Sequence, residues 1–326
     1  MKLNTKQLKQ FNSIAGGMKQ NNILPILSYL RFKDGTITKN NSESFVTMEA
    51  DFEGSVLIDE KILMSFVEYT NAEEINVEVD GTRVILSCGK EKYRSPTDDV
   101  NNFPENAVPD GEEIEISQDV LRAIKIASNF TMERENMPYT SCVFIGNGLV
   151  GAITGYIAYV ERLGEGLPNI ILERQAFTTI RNFNSVFFSE NDSYQFFTNG
   201  SFKFGFIKKD TKFINLEPFT KVPKEKPVTM DKTELQNFCD MVVSTSAGRV
   251  VITKIIGDKV SMTDADFGND SEKILPASLP DFSFNPVFMS KLLKSLPDDE
   301  LNFIKEGNKF FVTGENGFVS IIMEAA

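Results

Sequence analysis

Histidine is absent from this 326-residue chain. With no imidazole there can be no Ser-His or Cys-His nucleophile and no His-ligated metal. Chemistry built on carboxylates or lysine survives that exclusion. Cysteine is scarce as well. Cys88, Cys142 and Cys239 are odd in number, far apart and form no CxxC pair, so neither a disulfide framework nor a zinc site is expected. All three sit in apolar surroundings and read as buried reduced thiols. Tryptophan is missing too, and 28 phenylalanines supply the core bulk. No apolar run approaches the roughly 18 residues that a membrane span needs. The opening MKLNTKQLKQ lacks the apolar segment of a secretory signal, so the protein is expected to be cytoplasmic. Positive charge is in deficit, with 34 Lys and Arg against 46 Asp and Glu, a net −12. Hydrophobic content of 41% is enough for real cores, and the length fits about two or three domains.

What is present is a repeat. Three segments share a strand, a helix of about ten residues, then strand, turn and strand. They are VLIDEKILMSFVEYTNAEEINVEVDGTRVILSC, IILERQAFTTIRNFNSVFFSENDSYQFFTNGSFKFGF and FSFNPVFMSKLLKSLPDDELNFIKEGNKFFVTG. Each ends in a hairpin turn, at Asp80-Gly81, Asn199-Gly200 or Glu306-Gly307. The other half of each unit repeats as well, at residues 5–19, 117–130 and 231–243. Each stretch opens on a plausible cap: Asn4 or Thr5, Ser117, Asp231. Each then carries one apolar stripe at helical spacing. The first has Leu8, Phe11, Ile14, Ala15 and Met18; the second Val120, Leu121, Ile124 and Ala127; the third Leu235, Phe238, Cys239 and Val242. With the Asp/Asn/Pro-rich stretch 97–112 and the Pro/Lys stretch 218–227 as boundaries, three similar α+β domains are expected over 1–112, 113–224 and 225–326. Each would hold two helices, packed on one face of antiparallel sheets of about eight short strands.

Charge is divided between helices and loops. Arg122, Lys125 and Asn129 fall at i, i+3, i+7, opposite an apolar stripe, and Arg174, Thr178 and Arg181 line up likewise at i, i+4, i+7 on that unit's second helix. Lys291 and Lys294 share a face in the third unit, and Lys6 and Lys9 in the first. Acids gather elsewhere, as at Asp98, Asp99, Glu112, Glu113 and Glu115, or Asp298, Asp299 and Glu300. For one helix this is an ordinary solvated face. Agreement across helices of a repeat is what basic faces aimed at phosphates would produce, with an acidic exterior that discourages binding elsewhere. Glu68, Glu234 and Asp240 interrupt the pattern.

Several passages resemble the bacterial DNA polymerase III beta-subunit (sliding clamp) family, which they suit as a divergent, shortened member. NNILPILSYLRF is similar to the stretch after that family's first helix, with its LPIL core. FPENAVPDGEEIEISQDVLRAIKIASNFTMERENMPYTSCVFI resembles the passage into its second domain, and PNIILERQAF the strand entering that domain's second helix. AITGYIAYV resembles its ATDGHRLA motif, keeping Ala152 and Gly155 but placing Tyr156 and Ile157 where the family has His and Arg. The resemblance implies a non-enzymatic processivity factor of DNA replication, without cofactor or catalytic residue. It would be a head-to-tail homodimer whose six clamp domains encircle duplex DNA at the nucleoid. The DNA-facing set would be Lys6, Lys9, Asn21, Arg122, Lys125, Arg134, Tyr139, Arg174, Arg181, Lys291 and Lys294. Polymerase and clamp loader would insert short linear motifs into an apolar cleft of Ile153, Gly155, Tyr156, Ile157, Ala158, Ile214, Phe219, Ser320, Ile322 and Met323. The ending MEAA departs from the family's apolar and basic tail.

Other readings weigh less. GNGLVG at 146–151 has the GxGxxG spelling, but Asn147-Gly148 reads as a hairpin tip with no helix following, and no GxxxxGK[ST] occurs. Asp264, Asp266 and Asp270 fail the EF-hand spacing and read as an exposed acidic loop. A two-domain clamp closing as a trimer, a carboxylate-based α+β enzyme and a repeat-built scaffold that does not bind DNA remain the alternatives. The first conflicts with three repeats, and the others leave the basic helix faces unexplained.

Overall fold

The structure is a computed structural model and describes residues 1–18, 23–164, 166–181, 183–246, 251–264 and 269–325. Its first stretch runs β1 (Lys2–Asn4), α1 (Thr5–Ala15), β2 (Tyr29–Lys33), β3 (Thr36–Asn40), β4 (Ser44–Glu49), β5 (Ser55–Asp59), α2 (Glu60–Thr70), β6 (Glu74–Asp80), β7 (Arg83–Cys88) and β8 (Glu91–Pro96). The pattern returns in β9 (Ile114–Ile116), α3 (Gln118–Ser128), β10 (Val143–Gly146), β11 (Leu149–Ile153), β12 (Ile157–Arg162), β13 (Ile170–Leu172), α4 (Arg174–Ile180), β14 (Val186–Glu190), β15 (Tyr194–Asn199) and β16 (Phe202–Ile207). The third stretch is β17 (Val228–Asp231), α5 (Thr233–Thr245), β18 (Thr253–Asp264), β19 (Asn269–Phe284), α6 (Pro286–Ser295), β20 (Glu300–Glu306), β21 (Lys309–Thr313) and β22 (Phe318–Met323). Here β18 and β19 form one long antiparallel ribbon whose register shifts on both sides of Gly257, a residue at φ 63°.

The expected turn chemistry is in place. Gly81, Gly200 and Gly307 sit at φ 58°, 50° and 57° at the hairpin tips, a backbone region open to glycine at little steric cost. Asn147 and Gly148, both at positive φ, make the tip between β10 and β11, so the GxGxxG spelling is a hairpin. Asn4 caps α1 by accepting from the Lys6 and Gln7 amides, and Asp231 accepts from the Thr233 amide beside α5. The helices bury the anticipated stripes: Leu8, Phe11 and Ala15 on α1, Val120, Leu121, Ile124 and Ala127 on α3, Leu235, Phe238, Cys239 and Val242 on α5. Ile14 is only half-buried. Cys142 and Cys239 are buried, but Cys88 is not, because it ends β7 just before the Gly89 turn.

The chain packs as two compact units, Met1–Ser117 with Phe183–Lys209, and Gln118–Asn182 with Asp210–Ala326. The second repeat is therefore shared. Its β9 and β14–β16 continue the first repeat's strands in an eight-stranded sheet, β5-β2-β3-β4-β16-β15-β14-β9. A smaller sheet in that unit, β1-β6-β7-β8, ends on β8. In the other unit β10–β13 continue into the third repeat as β13-β10-β11-β12-β22-β21-β20-β17. Helices pack pairwise, α1 on α2, α3 on α4 and α5 on α6.

Candidate functional site

The second unit's eight-stranded sheet carries an apolar cluster that gathers several of the residues expected to line a cleft. Pairing fixes Ile153 opposite Ala158, Ala158 opposite Ile321 and Val160 opposite Val319. Cross-strand partners share a face, and these join Leu149, Leu216, Ile304 and Phe311 in one apolar cluster. The segment 213–219 lies against it, contributing the half-buried Phe213, Ile214 and Phe219, and Tyr139 packs on it as well. Arg162 is held to this segment by both Glu217 oxygens, at 3.1 and 3.0 Å.

The ten cleft residues do not share one surface. Ile153, Ala158, Ile214 and Phe219 belong to this cluster. Met323 takes the same side by strand alternation, as Ile321 does. Ile157, Ser320 and Ile322 are turned by the pleat to the opposite, helix-covered side, where all three are buried. Ser320 there donates to the Ala158 carbonyl at 2.9 Å. Gly155 and Tyr156 occupy the tip between β11 and β12. Tyr156 is exposed, stacked on Phe288 at 5.0 Å, with the Arg134 guanidinium 4.6 Å from its ring centre.

The basic residues divide similarly. Lys6 and Lys9 on α1 and Lys125 on α3 are exposed and make no ion pair among the described residues. Arg174 is exposed and pairs with Glu133 at 2.8 Å. Arg181 donates to Ser128 Oγ at 3.1 Å. Lys294 meets Asp240 at 2.7 Å, which Ser290 Oγ also reaches. Lys291 points at the Thr131 carbonyl, 3.4 Å away. Burial, and after it the Arg174 charge, pull the Lys291 ammonium below the usual lysine range. Asn21 lies outside the described residues.

Three further residues of the expected DNA-facing set make contacts within the protein. Arg134 lies over Tyr156, and Tyr139 packs on the apolar cluster. Arg122 turns inward to the Glu161 carboxylate, which is buried beside Tyr159. Neither Glu161 nor Phe288 stood out beforehand. The available signal for Glu161 was its place in β12: it follows Ile157 and Tyr159 at period two, and an acid on a buried face requires a cation across from it.

No family model matches the chain. Solved structures do. A DNA polymerase sliding clamp from Bacillus subtilis superposes with TM-score 0.85 at 16% identity, over 100% of this chain and 98% of that one. The DNA polymerase III subunit beta from Pseudomonas aeruginosa gives TM-score 0.83 at 16% identity, over 100% and 99%. The beta subunit from Thermotoga maritima gives 0.81 at 18% identity, over 100% and 98%. At such identities the likeness is one of fold, and along its whole length this chain has the fold of the DNA polymerase III beta-subunit sliding clamps.

Proposed function

We propose that this protein is a DNA sliding clamp: it encircles duplex DNA without sequence preference and tethers a replicative polymerase as a processivity factor, with no catalysis of its own. The observation that carries this reading is the full-length match to sliding-clamp structures. Three clamp domains, 1–112, 113–224 and 225–326, would give six in a head-to-tail ring of two copies. Lys6, Lys9, Lys125, Arg174, Arg181, Lys291 and Lys294 would face the phosphates, supplying salt-dependent attraction that reads no base.

Closure would use the free edge of β8 in the first unit. Beside it a groove of about 600 Å³ is lined by Lys61, Ile62, Ser65, Phe66, Tyr69 and Tyr93, and both tyrosines are exposed. A strand edge that pairs with no other strand among the described residues, next to exposed aromatics, suits continuation by a second copy. Polymerase and clamp-loader motifs would enter at Ile153, Ala158, Ile214, Phe219 and Met323, with Tyr156 at the rim.

The test is topological. Protein loaded on a nicked circular duplex is expected to stay bound, and to be lost once the circle is cut to a linear form. Equal retention on both forms would overturn encirclement.

A further inference from the structure

We infer that Glu161 is a positioning residue that withdraws Arg122 from the DNA-facing set and makes it the pin between α3 and the sheet; this rests on the clamp reading given above. Spacing alone puts Arg122 with Lys125 on the basic stripe of α3. The structure separates them. Lys125 is exposed, whereas Arg122 is part-buried and bonds through its NH2 group to Glu161 Oε1. Glu161 is 1% exposed, so its carboxylate depends on protein partners for solvation. It has two: Arg122 on one oxygen, and on the other the Tyr159 hydroxyl, which donates at 2.5 Å.

Tyr159 is itself fixed. It is fully buried and stacks between Phe130 at 5.3 Å and Phe318 at 5.9 Å. Burial and then the Glu161 charge push its phenol above the usual tyrosine range, so it stays a donor. Burial alone would weaken the Arg122 charge, but the Glu161 bond and charge outweigh it and the guanidinium is held above its usual value. Leaving for a phosphate would strand the Glu161 carboxylate without its cation, which burial makes unfavourable. Arg122 therefore releases no counterion when DNA binds.

Two measurements test this. In DNA-free protein carrying isotope-labelled arginine, the Arg122 guanidinium protons should exchange slowly and be unchanged between about 50 and 500 mM salt, and Glu161→Gln should abolish that protection. Fast exchange in the unsubstituted protein overturns the inference whatever the chain does with DNA. Second, Lys125→Gln should make the fall of log affinity for duplex DNA with log salt shallower by about 0.9, roughly threefold in affinity across 50 to 200 mM. Arg122→Gln should leave that steepness unchanged, and Glu161→Gln should increase it by about the same 0.9. Equal falls for Arg122→Gln and Lys125→Gln overturn the inference. No effect of Lys125→Gln sinks the DNA assignment of α3 instead, and proton exchange then decides the matter alone.

Discussion

Single side chains set hard limits at the strand seams. Gly205 on β16 lies opposite Phe45 on β4, and the Phe45 ring, 2% exposed, occupies the space where a β-carbon would go. Gly205→Ala should displace that ring and cost about 1–3 kcal/mol, read as a lower denaturant midpoint. A midpoint within error of the parent protein would show that the ring has room to move. Glu105 offers a pH-dependent case. The Arg31 guanidinium, 3.0 Å away and itself buried over Phe103, holds the Glu105 carboxyl below its ordinary 4.5. A depressed acid stabilises the fold above its ordinary value, and that contribution disappears as pH falls through the lower, folded value. The thermal midpoint of Glu105→Gln should therefore fall below the parent's at neutral pH and converge with it in strong acid. Glu105 is exposed, so the gap should be under about 1 kcal/mol. A gap that persists in acid would point to packing instead of charge.

Helices and hairpins were the most legible elements. A helix stripe is a local property, and so is an Asn-Gly or Glu-Gly turn: both depend on residues within one turn of each other. Leu8, Phe11 and Ala15, or Asn199-Gly200, announce their structure without a partner. Strand facing is different. Ile157 and Ala158 are adjacent and both apolar, and only the pairing of β12 with β22, more than 150 residues further on, decides which of them looks toward segment 213–219. That is why these strands were legible as an apolar region while the side of the sheet taken by Ile157, Ser320 and Ile322 was not. Basic residues share this limit: Arg122 and Lys125 have the same helical spacing, and a carboxylate on a distant strand separates them. At this scale β8 is also the element most open to test. Tyr93→Glu should place a charge on the free edge and convert a particle of about twice the chain mass into one of single-chain mass in light scattering, with circular dichroism unchanged. An unaltered mass would move the closure surface elsewhere.

At the scale of the whole chain, the three sequence repeats and the two packed units do not coincide. The repeats describe how the sequence is written; the units describe where the sheets run. A repeat isolated as a fragment would expose the long edges that its neighbour covers, β4 or β12, and such edges recruit other chains. The β12–β22 seam also bears on synthesis. Its two strands are separated by most of the second half of the chain, so from the moment β12 leaves the ribosome until β22 follows, about 160 residues later, an apolar strand edge waits unpaired. At ordinary elongation rates of about 5–20 residues per second, that wait lasts on the order of ten seconds or more. The interval gives a nascent-chain chaperone, or a neighbouring copy on the same message, its opportunity to bind.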